Sequence, residues 1–110
     1  RLHHARASFA IQTADMLGAE AYLVSWSGKG CYSNAWNPLD DGKTMTDLWR
    51  RRLSRDEVGL VSCGDEWTPD LVVVKLGGND LIDTVSTKDQ FRDSFVQLLR
   101  DIREHRPDAM

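Results

Sequence analysis

The chain lacks several features that define broad classes of protein. Its 110 residues carry 14 Lys and Arg against 17 Asp and Glu, so no general positive field would steer it to nucleic acid. No apolar run approaches the roughly 20 residues that a membrane-spanning helix needs. No Cys, His and Asp cluster has the spacing of metal ligands, and neither common glycine-rich phosphate loop is present. We therefore expect no nucleic-acid or membrane partner, no metal and no cofactor.

Cysteine is scarce too, since Cys31 and Cys63 are the only two. Two cysteines are too few for a disulfide framework, and they would either pair in an exported protein or remain free thiols. The first residues lack the apolar centre of a secretory signal, and the chain does not begin with Met. We therefore expect that Arg1 is not the natural start of translation. The length predicts one small domain at most.

The apolar pattern of the sequence predicts helices that alternate with strands. Gly18 and the capping-box pair Thr87 and Gln90 mark the expected end of the first helix and start of the last. Helix, strand, helix, strand and helix are predicted, in chain order, at residues 3–17, 21–26, 44–53, 69–77 and 87–103. This alternation predicts an α/β fold with a parallel sheet.

Both predicted strands end in glycine-bearing turns. "SGKG" occupies residues 27–30 and "GGND" occupies residues 77–80, after an apolar run at 71–74 that predicts a parallel strand buried on both faces. Ligands of parallel sheets bind beyond the carboxyl ends of the strands. Uncovered glycine N–H groups and an asparagine amide are donors of the kind that a developing oxyanion needs. Each motif taken alone is better explained as a simple turn.

Taken together, the motifs resemble a known family. "WTPDLVVVKLGGND", residues 67–80, is similar to the third sequence block of the SGNH hydrolases, also called GDSL esterases and lipases. "SWSGKGCYSN", residues 25–34, resembles their second block, particularly in the acetylxylan-esterase-like branch that acts on carbohydrate acetyl esters. Residues 44–53 and 98–110 fit the same pattern, so the resemblance spans nearly all of the chain.

The resemblance implies a flavodoxin-like three-layer α/β/α parallel sheet and a serine esterase for acetyl or other short acyl esters of carbohydrate. It implies that the Gly28 backbone N–H and the Asn79 side-chain amide form the oxyanion hole, with Asp80 bracing the turn. The family also suggests an extracellular or periplasmic location. Trp36, in the long polar loop, is a candidate to stack on a sugar ring, and a cap on the core is an equal alternative.

The sequence departs from the family at two blocks. It contains neither the Gly-Asp-Ser block with the nucleophile nor the Asp-x-x-His block with the base. The family places these before the first helix and after the last, so we expect residues 1–110 to be a single partial domain. No local substitute is expected, because no nucleophile has a base beside it in sequence. The residues considered for these roles are Ser25, Ser27, Ser33, Cys31, His3, His4 and His105.

The family's strand order, 2-1-3-4-5, has a physical consequence. The chain would hold the second and third strands but not the first, which pairs with both. Each buried polar backbone group without a partner costs about 1–3 kcal/mol. We therefore expect that this chain alone is not a stable enzyme, and that the missing strand comes from the rest of the source chain or from a partner polypeptide.

Two other functions stay open from the sequence. An SGNH-like domain without its catalytic blocks could be inactive and bind glycans. A nucleotide-binding α/β domain would need a phosphate loop at the first strand, which this sequence does not contain.

Overall fold

The computed structural model describes residues 5–51, 68–82 and 86–110. The α-helices of these ranges are α1 (Phe9–Leu17), α2 (Met45–Leu48), α3 (Gly78–Ile82) and α4 (Lys88–His105), with a 3₁₀ turn at Ala5–Ala7 before α1. Expectations that fall on residues 1–4, 52–67 and 83–85 lie outside the described residues. These include His3, His4, Cys63 and the end of the helix predicted at 44–53.

The ends of the two long helices follow local sequence signals. The Gly18 N–H donates to the carbonyls of Ala14 and Asp15 at φ +64°, so the predicted left-handed cap of α1 is confirmed. At α4, Thr87 Oγ1 accepts the Gln90 N–H at 3.2 Å and Gln90 Oε1 accepts the Thr87 N–H at 2.9 Å. The predicted capping box is therefore confirmed.

Three helices differ from the prediction. α1 begins at Phe9, with Ser8 as its N-cap after the 3₁₀ turn, and so starts later than the predicted helix at 3–17. α2 ends at Leu48 and a turn follows, so within the described range it is shorter than predicted. α3 was not predicted, because Gly, Asn and Asp are typical of turns. The backbone carbonyl of Asp80 accepts a hydrogen bond from the Ser86 hydroxyl, a contact outside the motif itself. The helical turn thus places Asn79 and Asp80 on a defined backbone.

The two predicted strands are not formed within the described residues, and this prediction is wrong for the chain. No strand is assigned at 21–26 or 69–77, and no strand pairing joins them. Exposure alternates along residues 71–76, with Leu71 54 % and Val73 71 % exposed, as expected of extended backbone covered on one face. A strand is buried on both faces only between paired neighbours and two covering layers. Around residues 71–74 the described residues supply a paired neighbour on one side only, at Met110, and leave Leu71 and Val73 exposed.

One element of parallel order is present beside residues 69–77. The Val72 N–H donates to the Met110 carbonyl at 2.9 Å, and the Met110 N–H donates to the Asp70 carbonyl at 2.9 Å. Met110 thus bonds to both Asp70 and Val72, which are two residues apart, and this is the hydrogen-bond pattern of a parallel pair. Since α4 lies between the two segments in the chain, this part has the connectivity of a β–α–β unit.

The core lies between α2, α4 and the start of the polar loop. Helices α2 and α4 pack against each other. The buried apolar residues of the described ranges are Cys31, Met45, Leu48, Leu98 and Ala109. By contrast α1 buries none of its side chains, and Phe9, Met16 and Leu17 are more than half exposed. None of the helices described is long and apolar enough to cross a membrane.

Candidate active site

The two glycine-bearing motifs meet in space. The Asn79 side-chain amide donates to the Lys29 carbonyl at 2.8 Å, across 50 residues of sequence. Asn79 therefore lies beside the residue that follows Gly28. The structure brings the two predicted oxyanion donors into one neighbourhood, and their role as donors stays a prediction.

Asn79 is half-buried at the start of α3 and lines a cavity of about 400 Å³. A primary amide carries two N–H groups, and the Lys29 carbonyl takes one of them. The bond fixes the orientation of the side chain and leaves the second N–H as a donor. Ser25 and Trp26 line the same cavity from the opposite motif.

Gly28 adopts a backbone conformation that a side chain would strain. Its φ is +81°, in the region that favours glycine, and its carbonyl accepts the Ala35 N–H at 2.8 Å. It lines a second cavity of about 380 Å³, which shares Trp26 and Lys29 with the cavity beside Asn79. Gly28 and Asn79 therefore line adjoining cavities.

Asp80 binds the opposite loop through three consecutive backbone amides. Its carboxylate is 0 % exposed, and Oδ2 accepts the Cys31 N–H at 3.0 Å. Oδ1 accepts the N–H groups of Tyr32 at 2.7 Å and Ser33 at 3.0 Å. Successive amides of this kind form a concave site for an anion. The Asp80 carboxylate therefore holds residues 31–33 of the opposite loop, whereas the sequence led us to expect it to brace its own turn.

Gly30 is part of the same contact and was not identified from the sequence. A Cβ at this position would lie 2.6 Å from Asp80 Oδ2 and 2.0 Å from the Ser33 carbonyl oxygen. Only glycine allows so close an approach of loop and carboxylate. The signal in the sequence was a second glycine in "SGKG", but nothing there indicated which distant group approaches it.

Lys29 anchors the other side of the loop. Its ammonium contacts Asp40 at 2.5 Å and Asp41 at 2.7 Å, and it donates to the Lys43 carbonyl at 2.7 Å. Burial alone would lower the pKa of Lys29, but the hydrogen bonds to the two carboxylates outweigh it and raise the pKa above its ordinary value. The same bonds lower the pKa values of Asp40 and Asp41. All three groups are therefore charged at neutral pH.

Cys31 does not have the properties of a nucleophile. It is a free thiol and is 1 % exposed. Burial, and then the negative charge of Asp80, raise its pKa to about 11. The thiol is therefore protonated at neutral pH, and the thiolate that would react is scarce.

No hydrogen bond joins a described serine to His105, the histidine that the structure describes. Ser33 Oγ is buried and has no hydrogen-bond partner in the described ranges, whereas Ser25 and Ser27 are exposed. His105 is the last residue of α4. There it contacts Asp101 at 3.4 Å and Arg50 at 3.0 Å. The described residues therefore pair no nucleophile with a base.

Trp36 lies on the surface of the polar loop. It is 84 % exposed, which is inconsistent with the alternative that it caps the core. It lines neither of the two cavities described above. Its indole is available for a flat ligand. Its role in binding stays a prediction. Among the described residues, no group of three or more His, Cys, Asp or Glu could hold a metal ion.

Comparisons with known proteins relate the chain to carbohydrate esterases. An acetylxylan esterase/glucomannan deacetylase of Cellvibrio japonicus is 26 % identical over 99 % of the chain, which spans 30 % of that protein. The cellulase/esterase CelE of Acetivibrio thermocellus is 30 % identical over 93 % of the chain, which spans 12 % of it. No protein-family model matches.

A solved structure also relates the chain to carbohydrate esterases. The chain superposes on a carbohydrate esterase family 2 enzyme with a carbohydrate-binding domain, from Corynascus thermopiles (Myceliophthora fergusii), with a TM-score of 0.80 and 30 % identity. The match covers 94 % of the chain and 33 % of the neighbour.

These comparisons relate the chain to carbohydrate esterases, and the chain superposes on part of the fold of one of them. One of these relatives is named an acetylxylan esterase, in agreement with the resemblance that the two sequence blocks carry. The chain spans a third or less of each relative's length. The complete flavodoxin-like sheet is not present within the described residues.

Proposed function

We propose that the protein containing this chain hydrolyses acetyl or other short acyl esters on carbohydrate. One observation carries the proposal: the Asn79 amide is fixed on the Lys29 carbonyl, one residue from Gly28 and beside a cavity. Gly28 and Asn79 line adjoining cavities that share Trp26 and Lys29, and in this proposal their N–H groups converge on the oxyanion. The names of the relatives, an acetylxylan esterase/glucomannan deacetylase and a cellulase/esterase, support acetylated carbohydrate as the substrate.

In the proposed reaction a serine hydroxyl, in a block outside these 110 residues, attacks the ester carbonyl carbon while a histidine takes its proton. The carbonyl oxygen becomes negative and accepts the Gly28 N–H and the second Asn79 N–H. The sugar oxygen then leaves with the proton from the histidine. Water, deprotonated by the same histidine, releases the acid from the acyl-enzyme and regenerates the serine.

Trp36 is proposed to contact the sugar. An exposed indole on a loop next to the Gly28 cavity offers a flat apolar face on which a pyranose ring can stack. The neighbouring Leu39 is 90 % exposed and extends the apolar surface. In this proposal Trp36 affects the affinity for carbohydrate esters and leaves hydrolysis of a small synthetic ester unchanged.

We also propose that a further strand completes the sheet. Residues 22–24 and 71–76 both line an apolar cavity of about 250 Å³. The strand order of the family places its first strand between these two segments. The strand would come from the rest of the source polypeptide or from a partner polypeptide.

The activity is tested by the substitution Asn79→Ala in the complete protein. Removing one oxyanion donor should lower kcat about 10²–10³-fold for acetyl release from acetylated xylan. Gln97→Ala is the matched control, because it removes an exposed amide from the surface of α4. Activity of the Asn79 variant within a few-fold of the control would exclude the assigned role. A wild-type protein that binds xylan but releases no acetate would favour the inactive glycan-binding domain.

A further inference from the structure

We propose that Asp80 is a positioning residue, which holds the two oxyanion donors Gly28 and Asn79 in register with each other. The inference rests on the proposed function, since it assigns Asp80 a role in the geometry of that oxyanion hole. A residue that only stabilised the loop would affect kcat independently of Asn79, whereas this proposal predicts that the effect of Asp80 on kcat depends on Asn79.

Two neighbouring residues of α3 cross to the same loop. Asn79 donates to the Lys29 carbonyl at 2.8 Å, and Asp80 accepts the N–H groups of residues 31–33 at 2.7–3.0 Å. The first bond sets the orientation of the Asn79 amide. The other three set the distance between α3 and the loop. Since Gly28 precedes this loop directly, its N–H is placed relative to Asn79 by the same four bonds.

The chemistry of this contact requires a carboxylate. An ionised carboxylate is purely an acceptor, with room for the three N–H groups that converge on it. An asparagine in the same place would turn two N–H donors of its own toward backbone donors, so at least one amide would lose its partner. Glutamate is one methylene longer, and Gly30 leaves no space, because even a Cβ there would lie 2.6 Å from Oδ2.

Loosening this contact should affect the transition state more than the substrate. Oxyanion donors act only when they are fixed at the position of the developing charge. A displacement of about 1 Å in a positioned group can reduce the rate by ~10²-fold. Ground-state binding of a small ester uses other surfaces, so KM should change little.

The first test is a double-mutant cycle in the complete protein, with Asp80→Asn, Asn79→Ala and the combination. Rates on p-nitrophenyl acetate are normalised to the folded fraction, measured by thermal unfolding. We expect Asp80→Asn to lower kcat by ~10²-fold in the wild type and to have little further effect once Asn79 is alanine. A loss of equal size in both backgrounds would overturn the proposal, because Asp80 would then act independently of Asn79.

The second test does not depend on activity. In complete protein labelled with ¹⁵N-asparagine, the side-chain resonance of Asn79 is identified by its loss in Asn79→Ala. Asp80→Asn should shift this resonance and speed its hydrogen exchange, and Gln97→Ala should leave it unchanged. An unmoved resonance in a folded Asp80→Asn variant would overturn the proposal.

Gly30→Ala provides the second variant, because its Cβ would meet both the Ser33 carbonyl oxygen and the Asp80 carboxylate, and so separates the loop from a chemically unaltered carboxylate. If Asp80→Asn does not fold, the Asn79 resonance in Gly30→Ala decides the question by the same criterion. If the wild type hydrolyses no ester, the proposed function fails, and the resonance still shows whether Asp80 positions Asn79.

Discussion

At the scale of single residues, the site depends on contacts between groups far apart in sequence. Asp80 reaches the amides of residues 31–33, and the Lys29 ammonium reaches Asp40 and Asp41. The loop of residues 29–33 is thus held by carboxylates on both sides. Such an arrangement orders backbone N–H groups that a free loop would leave mobile. The sequence indicated Gly28 and Asn79 through the motifs that carry them, but it gave no sign of these anchors.

The environment of Cys31 leads to a prediction about its reactivity. Its pKa of about 11 means that the thiolate appears only as the pH approaches that value. Since the thiolate fraction falls tenfold per pKa unit, alkylation of Cys31 at pH 8 should be ~10²-fold slower in the folded than in the unfolded protein.

The measurement uses iodoacetamide and peptide mass spectrometry, in a Cys63→Ser background so that Cys31 is the only cysteine of the chain labelled. The rate should increase as the pH is raised toward 11. Rapid labelling of the folded protein at pH 8 would show that the thiol is exposed or its pKa ordinary, contrary to its buried position beside Asp80.

At the scale of elements, features that depend on local signals were predicted, and features that depend on long-range contacts were not. The ends of α1 and α4 were predicted because a cap needs only residues within one turn. α3 was not, because its residues favour a turn and its stability depends on contacts with Ser86 and with residues 29–33. Apolar, β-rich runs predicted strands at 21–26 and 69–77, but strand pairing depends on a neighbour, which no local pattern supplies.

The two glycines before Asn79 have different roles, and this can be measured. Gly77 has φ +112°, and a Cβ there would lie 3.0 Å from the Phe91 ring, whereas a Cβ on Gly78 meets nothing within 4 Å. We expect Gly77→Ala to lower the free energy of unfolding by about 1–3 kcal/mol. Gly78→Ala should stay within about 0.5 kcal/mol of the wild type.

Denaturant unfolding of the complete protein, followed by tryptophan fluorescence, compares the two variants under identical conditions. The pair is its own control, since the same methyl group is added one residue apart. Equal losses of stability, or a larger loss at Gly78, would contradict the assignment of Gly77 as the residue that needs a positive φ.

At the scale of the whole molecule, the chain has the organisation of part of an α/β domain. Met110 bonds beside residues 70–72 in a parallel pattern, and the apolar cavity lies on the side of residues 22–24. Exposed Phe9, Met16 and Leu17 on α1 add apolar surface that the described residues leave uncovered. These features agree with a related enzyme structure of which the chain covers 33 %.

A prediction about folding follows from this organisation. The 110-residue chain alone should unfold without a cooperative transition. A longer piece of the source protein that adds the Gly-Asp-Ser block and its preceding strand should unfold cooperatively. Circular dichroism during heating distinguishes the two. A cooperative transition of the short chain, with stability in the usual range of about 5–15 kcal/mol, would contradict the need for a further strand.

The most direct test of the oxyanion hole is a crystal structure of the complete protein inactivated by a phosphonate ester, whose phosphoryl oxygen occupies the position of the oxyanion. We predict that this oxygen lies about 2.7–3.1 Å from both the Gly28 backbone nitrogen and Asn79 Nδ2. Asp80 should remain bonded to residues 31–33 in the same structure. An oxygen held by other donors, with Gly28 and Asn79 out of reach, would contradict the assignment of this site.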